Sequence, residues 1–224
     1  MLVDVVALSQ NKCLKPIQAK LKYATNKNFT GAIVEGYSSS AKDFALMSPL
    51  AAEKLCEVQN YLLNEYGYGL LIYDAYRPKR AVKAFLFWSK AEVRDANEIE
   101  RKQKHYPAIE KKELFKKGYV AQDSEHCYGN TVDLVLIDTS SNKKLPMGSR
   151  FDFMDKKSHV TASADEVGEE ALHYRKILRD AMIRFDFQPY QEEYWHFTHG
   201  GNIGREILEP LDIPITSQMR GLGL

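Results

Sequence analysis

One carboxylate limits what this chain can become. Asp133 stands at the head of the apolar run Leu134-Val135-Leu136-Ile137. Such a run reads as a buried strand, and an acid carried into one needs a partner, because burying it unpaired is costly. Just upstream lies Ser124-Glu125-His126-Cys127-Tyr128-Gly129-Asn130-Thr131-Val132. Imidazole and carboxylate both bind divalent metals such as zinc. Gly129 lacks a Cβ and permits a bend that aims His126 and Asp133 at one point. A capping role or a salt bridge to Arg77 would satisfy the same carboxylate, so spacing alone leaves both readings open. A catalytic zinc site has three protein ligands and an open position. The third candidate lies in Glu193-Tyr194-Trp195-His196.

A glutamate close to a histidine ligand can be the base that deprotonates a water. In a flat strand, residues three apart point to opposite faces. Glu193 and His196 therefore share a site only if the strand is bulged or Glu193 lies at its irregular entrance. Glu192, four before His196, would share its face in a regular strand, and sequence physics leaves both glutamates open. Arg77 sits between an apolar run and Pro78. It reads either as a surface ion-pair partner or as a fixed positive charge aimed at an oxyanion. His105 and His173 lie in polar helical contexts and read as solvated. His199 shares parity with Glu193 and is a weak alternative ligand, and His159 is left open.

The remaining elements follow from pattern. Residues 1–47 read as irregular with short strands. Ser48-Pro49 opens a helix with proline at its first position, and Gly67 closes it. Residues 69–76 form a buried strand, followed by a helix with Ala81, Phe85 and Trp88 on its apolar face. The charged stretch 90–117 reads as exposed helix and loop, 131–138 as a strand, and 139–164 as a long functional excursion. From Glu166 to Phe187 the apolar spacing is helical, and Gln188-Pro189 breaks it. Residues 192–199 alternate like a strand, and the tail from Gly200 reads as loop. Strands and helices interleave without a Gly-rich phosphate loop. The expected fold is α+β, a single domain over residues 1–224 with a largely antiparallel sheet flanked by helices.

Composition narrows the partners. The chain has 224 residues, 44% hydrophobic, and a net charge of +1, with Lys and Arg spread along it. That disfavours nucleic acid, which needs a basic stripe, and no apolar run reaches membrane-span length. The start, Met1 to Leu8, lacks the basic region of a signal peptide. A cytoplasmic location is expected, or a periplasmic one if a leader has been removed. The three cysteines, Cys13, Cys56 and Cys127, form no CxxC pair. An odd count fits a reducing compartment, with a Cys13–Cys56 bridge left open.

These residues resemble a known family. The matching segments are Lys22 to Thr25 with Asn28 to Gly31, Tyr68 to Ala84, Lys117 to Ala121, Ser124 to Asp133, Pro146 to Met154 with Ser158-His159, and Glu193 to His196. Together, in order and at fitting spacing, they resemble the zinc-dependent D-alanyl-D-alanine dipeptidases of the vancomycin-resistance type. These are zinc D,D-peptidases with a Hedgehog-like fold and the zinc site at the sheet. The resemblance implies one zinc per chain, held by His126, Asp133 and His196. It implies Glu193 as catalytic base, which settles the choice against Glu192, and Arg77 as stabiliser of the tetrahedral intermediate. Tyr23, Ser124 and Asp152 match the substrate-binding positions, with Asp152 facing the free ammonium of a small dipeptide. Cys127-Tyr128 and Thr131 depart from the family pattern and are expected at the pocket rim. The alternatives are a zinc D,D-carboxypeptidase acting on cell-wall peptides and a non-catalytic zinc-binding module. The presence of both Glu193 and Arg77 favours an enzyme. Oligomeric state is left open.

Overall fold

The computed structural model describes residues 1–92, 96–120, 123–200 and 205–223. Ala121, at the end of one matching segment, and residues 201–204 of the tail lie outside them. The architecture is mixed α and β. The main sheet runs in the order β2 (Gln18–Ala19), β4 (Tyr68–Asp74), β5 (Thr131–Asp138), β8 (Glu193–His199), β7 (Phe187–Tyr190), and β6 (Lys143–Lys144) pairs with the end of β5. Only the β2–β4 pairing is parallel. A second, two-stranded sheet joins β1 (Val3–Asp4) to β3 (Leu46–Met47). β5 is buried along nearly its whole length, as its unbroken apolar run requires.

The helices bury the sheet. α2 (Pro49–Tyr66) starts with proline in its first turn and stops at Gly67, whose φ of 72° no right-handed helix can continue. Its Leu55, Val58 and Leu62 enter the core. α3 (Lys79–Lys90) follows Pro78 and buries Ala81 and Phe85, while α4 spans Ala96–His105. One hydrophobic cluster takes in residues from Leu2 to Ile215, so α2, α3 and both sheets share a core, while Ala162, Val167 and Ala171 form a small second cluster.

Five expectations need correction. The supposedly irregular N-terminus opens with a helix, α1 (Val5–Lys12), capped by Asp4, which accepts from the Val6 and Ala7 amides. Its apolar residues bunch at one end, so it shows no helical period. The stretch 90–117 is not uniformly exposed: Tyr106, Ile109 and Leu114 are buried. Two of its charges enter with them and neutralise each other, Lys111 Nζ lying 2.9 Å from Glu98. The expected helix from Glu166 to Phe187 is two helices, α5 (Ala164–Val167) and α6 (Glu169–Arg184), parted by Gly168 at φ 87°, ψ 147°. Pro189 does not break structure but lies inside β7. That strand is at the sheet edge, where a missing N–H is tolerated. The tail does better than loop in places, since Ile215 is buried and bridges to Tyr37.

Gly129 shapes the approach to β5. It has φ 75°, and a Cβ there would meet Leu2 Cδ2 at 2.7 Å and the Ser48 amide nitrogen at 3.2 Å. At Gly67 the φ is similar but nothing lies within 4 Å. Gly67→Ala should therefore cost only the backbone strain, about 1 kcal/mol. Gly129→Ala should cost at least about 1 kcal/mol more, from overpacking. Urea unfolding of the two variants measures the difference, and equal losses would remove the packing argument.

Candidate active site

A row of ionisable groups crosses the sheet. Asp74 pairs with Asp133 across β4 and β5, and Asp133 pairs with His196 across β5 and β8. The register shifts between Ile72 and Asp74, so Asp74 closes β4 at an irregularity. His126 comes from the short 3-10 turn Glu125–Tyr128, just before β5. The Arg77 amide donates to His126 O at 3.2 Å, tying that turn to the end of β4. Glu193 opens β8 opposite Tyr190, where a second register shift falls. The irregular strand entrance that the three-residue spacing allowed for is present, and Glu193 Oε2 lies 3.7 Å from His196 Nδ1.

His126, Asp133 and His196 form a group of potential metal ligands. His126 Nε2 lies 3.3 Å from Asp133 Oδ1 and 3.3 Å from His196 Nδ1, and His196 Nδ1 lies 3.0 Å from Asp133 Oδ1. Ligand atoms about 2.0–2.1 Å from a tetrahedral zinc stand about 3.3 Å apart, so the spacing fits. The protonation pattern fits as well. His126 Nδ1 donates to Ala75 O at 2.6 Å, which leaves Nε2 with a lone pair turned toward Asp133. Asp133 Oδ1 is buried and lacks a hydrogen-bond donor of good geometry. Acceptors that face one another in a buried site repel unless a cation lies among them.

Anions and one arginine surround this group. Burial would raise the Asp133 pKa, and positive charge on the side of His126 and His196 opposes that and holds it below the usual carboxylate range. Its Oδ2 lies 3.6 Å from Arg77 Nη2. Arg77 is no surface ion-pair residue: its Nε donates to Asp74 Oδ2 at 2.9 Å, and the side chain is mostly buried. Burial alone would lower the Arg77 pKa, but Asp74, Tyr23, Tyr37 and Asp133 together raise it, so the guanidinium stays charged. Tyr37 Oη donates to the other Asp74 oxygen at 2.7 Å. Burial pushes Glu193 up to about 8, with Asp133 and Asp152 adding to the rise and His196 and Arg77 opposing it. Asp152 is also raised, by burial first and by Asp133 next. Its Oδ1 accepts from Tyr23 Oη at 3.0 Å, while Oδ2 is buried with no partner.

All eight residues named from the sequence line one cavity of about 180 Å³: His126, Asp133, His196, Glu193 and Arg77, with Tyr23, Ser124 and Asp152. Sequence reasoning missed three contributors. Asp74 holds Arg77, and its signal was available, since it is an acid in a buried strand three residues before a cation. Tyr190 places its ring 5.4 Å from that of His196. His105, read as solvated, is half-buried, and its Nδ1 bonds Asp152 O at 2.9 Å. It steadies the Asp152 backbone, whose φ of 57° is unusual for a residue with a Cβ. His199 lies against Phe187, away from the cavity, and His159 bonds Tyr119 Oη at 3.0 Å. Cys127, Tyr128 and Thr131 do not line the cavity. Thr131 bonds Thr198 across the strands instead, and Cys127 is buried. Cys13, Cys56 and Cys127 are all free thiols.

Three convergent ligand atoms beside the Glu193 carboxylate fit one broad class, the metal-dependent hydrolases. The comparisons narrow that class to peptidases: the chain belongs to the D-ala-D-ala dipeptidase family, Peptidase_M15, whose profile matches residues 5–211. It is 41% identical over 187 residues to a D-alanyl-D-alanine dipeptidase of Enterococcus faecalis, covering 84% of this chain and 88% of that protein. It is 39% identical over 180 residues to one of Streptomyces coelicolor, covering 79% and 83%. With one of Escherichia coli the identity is 28% over 182 residues, covering 81% and 78%.

Asp74 gives the site a stability signature. Asp74→Ala strands the Arg77 charge and the Tyr37 hydroxyl, and losing one partner of a buried pair costs about 3–5 kcal/mol. Urea unfolding of the variant checks this. A loss below about 1 kcal/mol would mean that Arg77 is held by something else.

Proposed function

We propose that residues 1–224 form a single zinc D,D-dipeptidase domain, Hedgehog-like in fold, that hydrolyses D-alanyl-D-alanine to two D-alanines. The observation that carries the reading is the convergence of His126, Asp133 and His196 at tetrahedral spacing, in a chain so similar to proteins named for that activity. These three residues would hold one zinc ion. When bound, zinc supplies a Lewis acid for the scissile carbonyl and acidifies a water.

The protein's own groups do the rest. Glu193 accepts the proton of the attacking water and passes it to the leaving amine, its carboxylate standing 3.7 Å from the ligand His196. Arg77 offers planar donors where negative charge develops on the carbonyl oxygen. Asp152 uses its unpaired Oδ2 for the substrate ammonium, with Tyr23 fixing the other oxygen. Ser124 lies on the cavity wall as a further polar contact. A cavity of about 180 Å³ is below the usual range for ligand pockets, about 300–1,000 Å³. That favours a free dipeptide over the long peptide a D,D-carboxypeptidase would take. The free thiols support a reducing, cytoplasmic setting, and among the described residues no helix is long and apolar enough to cross a membrane.

Turnover of D-Ala-D-Ala, L-Ala-L-Ala and N-acetyl-D-Ala-D-Ala by the zinc-loaded protein tests the assignment. The free D,D-dipeptide should be the strong substrate, and acetylation should lower kcat/KM severely because it leaves Asp152 unpaired. Equal kcat/KM for the free and acetylated forms would favour the carboxypeptidase.

The metal and the base should separate. His126→Ala should lose tight zinc binding, whereas Glu193→Ala should keep the metal and lose nearly all turnover. Full zinc occupancy in His126→Ala, or an active Glu193→Ala beside an inactive Glu192→Ala, would contradict these roles.

Arg77→Ala should retain zinc and lose roughly 100- to 1,000-fold in kcat, the scale of one oxyanion donor, with a smaller change in KM. Arg77→Lys should recover only part, since an ammonium lacks the planar fork. Near wild-type kcat in a folded, zinc-loaded Arg77→Ala would leave Arg77 a purely structural role.

A further inference from the structure

A second, larger cavity of about 1040 Å³ shares Asp152 with the small one and none of its other wall residues. Three segments build it: the loop 22–31, α4 and the stretch 144–152. Each brings two cations, Lys22 and Lys27 from the first, Arg101 and Lys104 from the second, Lys144 and Arg150 from the third. Among the described residues the carboxylates on the walls are Glu100 and Asp152, and Glu100 is already bonded to Lys104. The whole chain carries a net charge of only +1, so this is a local concentration.

Arg101 pairs with Glu98 at 3.1 Å and Lys104 with Glu100, so the cations of the other two segments carry the unrelieved part of this charge. Lys27, Lys144 and Arg150 make no ion pair among the described residues. Lys22 is half-buried with its Nζ 4.4 Å over the Tyr73 ring. Burial pulls its pKa down, and nearby Lys144, Lys20 and Lys27 pull it further, against the opposing pull of Asp152. Like charges gathered round a concavity focus a positive potential there, and an anion among them removes the repulsion.

We propose that this cavity binds a small organic molecule carrying two or more phosphate or sulfate ester groups. Several anionic groups are needed to engage cations on three separate segments at once. Lysines bind tetrahedral oxyanions as point charges, and arginines bind them with two parallel donors. The volume is that of a small-molecule pocket, and the cations ring a cavity instead of forming the stripe that nucleic acid requires. Tyr73, Phe151 and Pro146 give the walls an apolar part for the scaffold that carries the groups.

Calorimetric titration of the zinc-loaded protein with fructose 1,6-bisphosphate and with sucrose octasulfate, at low ionic strength, tests the proposal and tells the two ester types apart. The triple variant Lys27→Ala/Lys144→Ala/Arg150→Ala removes three exposed, unpaired cations, and an unchanged circular dichroism spectrum would show that it folds. Lys156→Ala/Lys157→Ala removes two exposed lysines outside the cavity. Saturable binding of at least one probe, weakened at least ten-fold in the triple variant and unchanged in the double, is the expected result. Absence of saturable binding of both probes, or equal weakening in the double and triple variants, would overturn it.

Discussion

The site depends on how this fold neutralises the carboxylates that its central strands carry into the interior. β4 ends in Asp74, and β5 begins near Asp133, its register partner. Two buried carboxylates side by side would repel each other and favour protonation. Arg77 opposes that, lying 2.9 Å from one and 3.6 Å from the other, although burial still leaves the Asp74 pKa raised. The same guanidinium rests near the rings of Tyr23 and Phe85, so its position is set by packing as well as charge. His126 faces the pair from the other side. Charge balance thus gives the sheet a polar row that could not form one residue at a time.

Much of this was legible from the chain. The acid at the head of an apolar run predicted both a buried strand over 131–138 and a demand for partners, and β5 has those bounds. The spacing of Glu193 and His196 required either a bulge or an irregular strand entrance for the two to share a site, and Glu193 opens β8 beside the register shift at Tyr190. Ser48-Pro49 and Gly67 bounded α2 correctly. The errors have physical sources. Gly168 looks like any residue within a helical period until its φ is known. Pro189 is a breaker by local rules and a strand residue by its place at an edge. Glu98 and Lys111 are charged letters in a charged stretch, and only their meeting in three dimensions allows their burial. His105 gained its role from Asp152, a neighbour 47 positions away that no local pattern supplies.

The two halves of the proposed site come from different kinds of structure. His126, Asp133 and His196 sit on or beside paired strands, where cross-strand register fixes their spacing. Asp152 sits in an excursion, in a left-handed conformation, held by Tyr23 from one side and by His105 from another. Strand-borne groups suit a ligand set that tolerates little error. A loop-borne acid suits a contact that decides which molecules enter, because loop length and sequence can change while the sheet stays as it is.

Pro189 has a consequence for how copies of this protein meet. It lies in β7, the four-residue strand at one end of the main sheet, and the opposite end is closed by the two residues of β2. A proline offers no amide to an incoming strand, and two residues offer too little ladder to seed one. Both margins resist being zipped to a neighbour's sheet. Polymerisation by strand addition, the standing hazard of an open sheet, is disfavoured at these two borders.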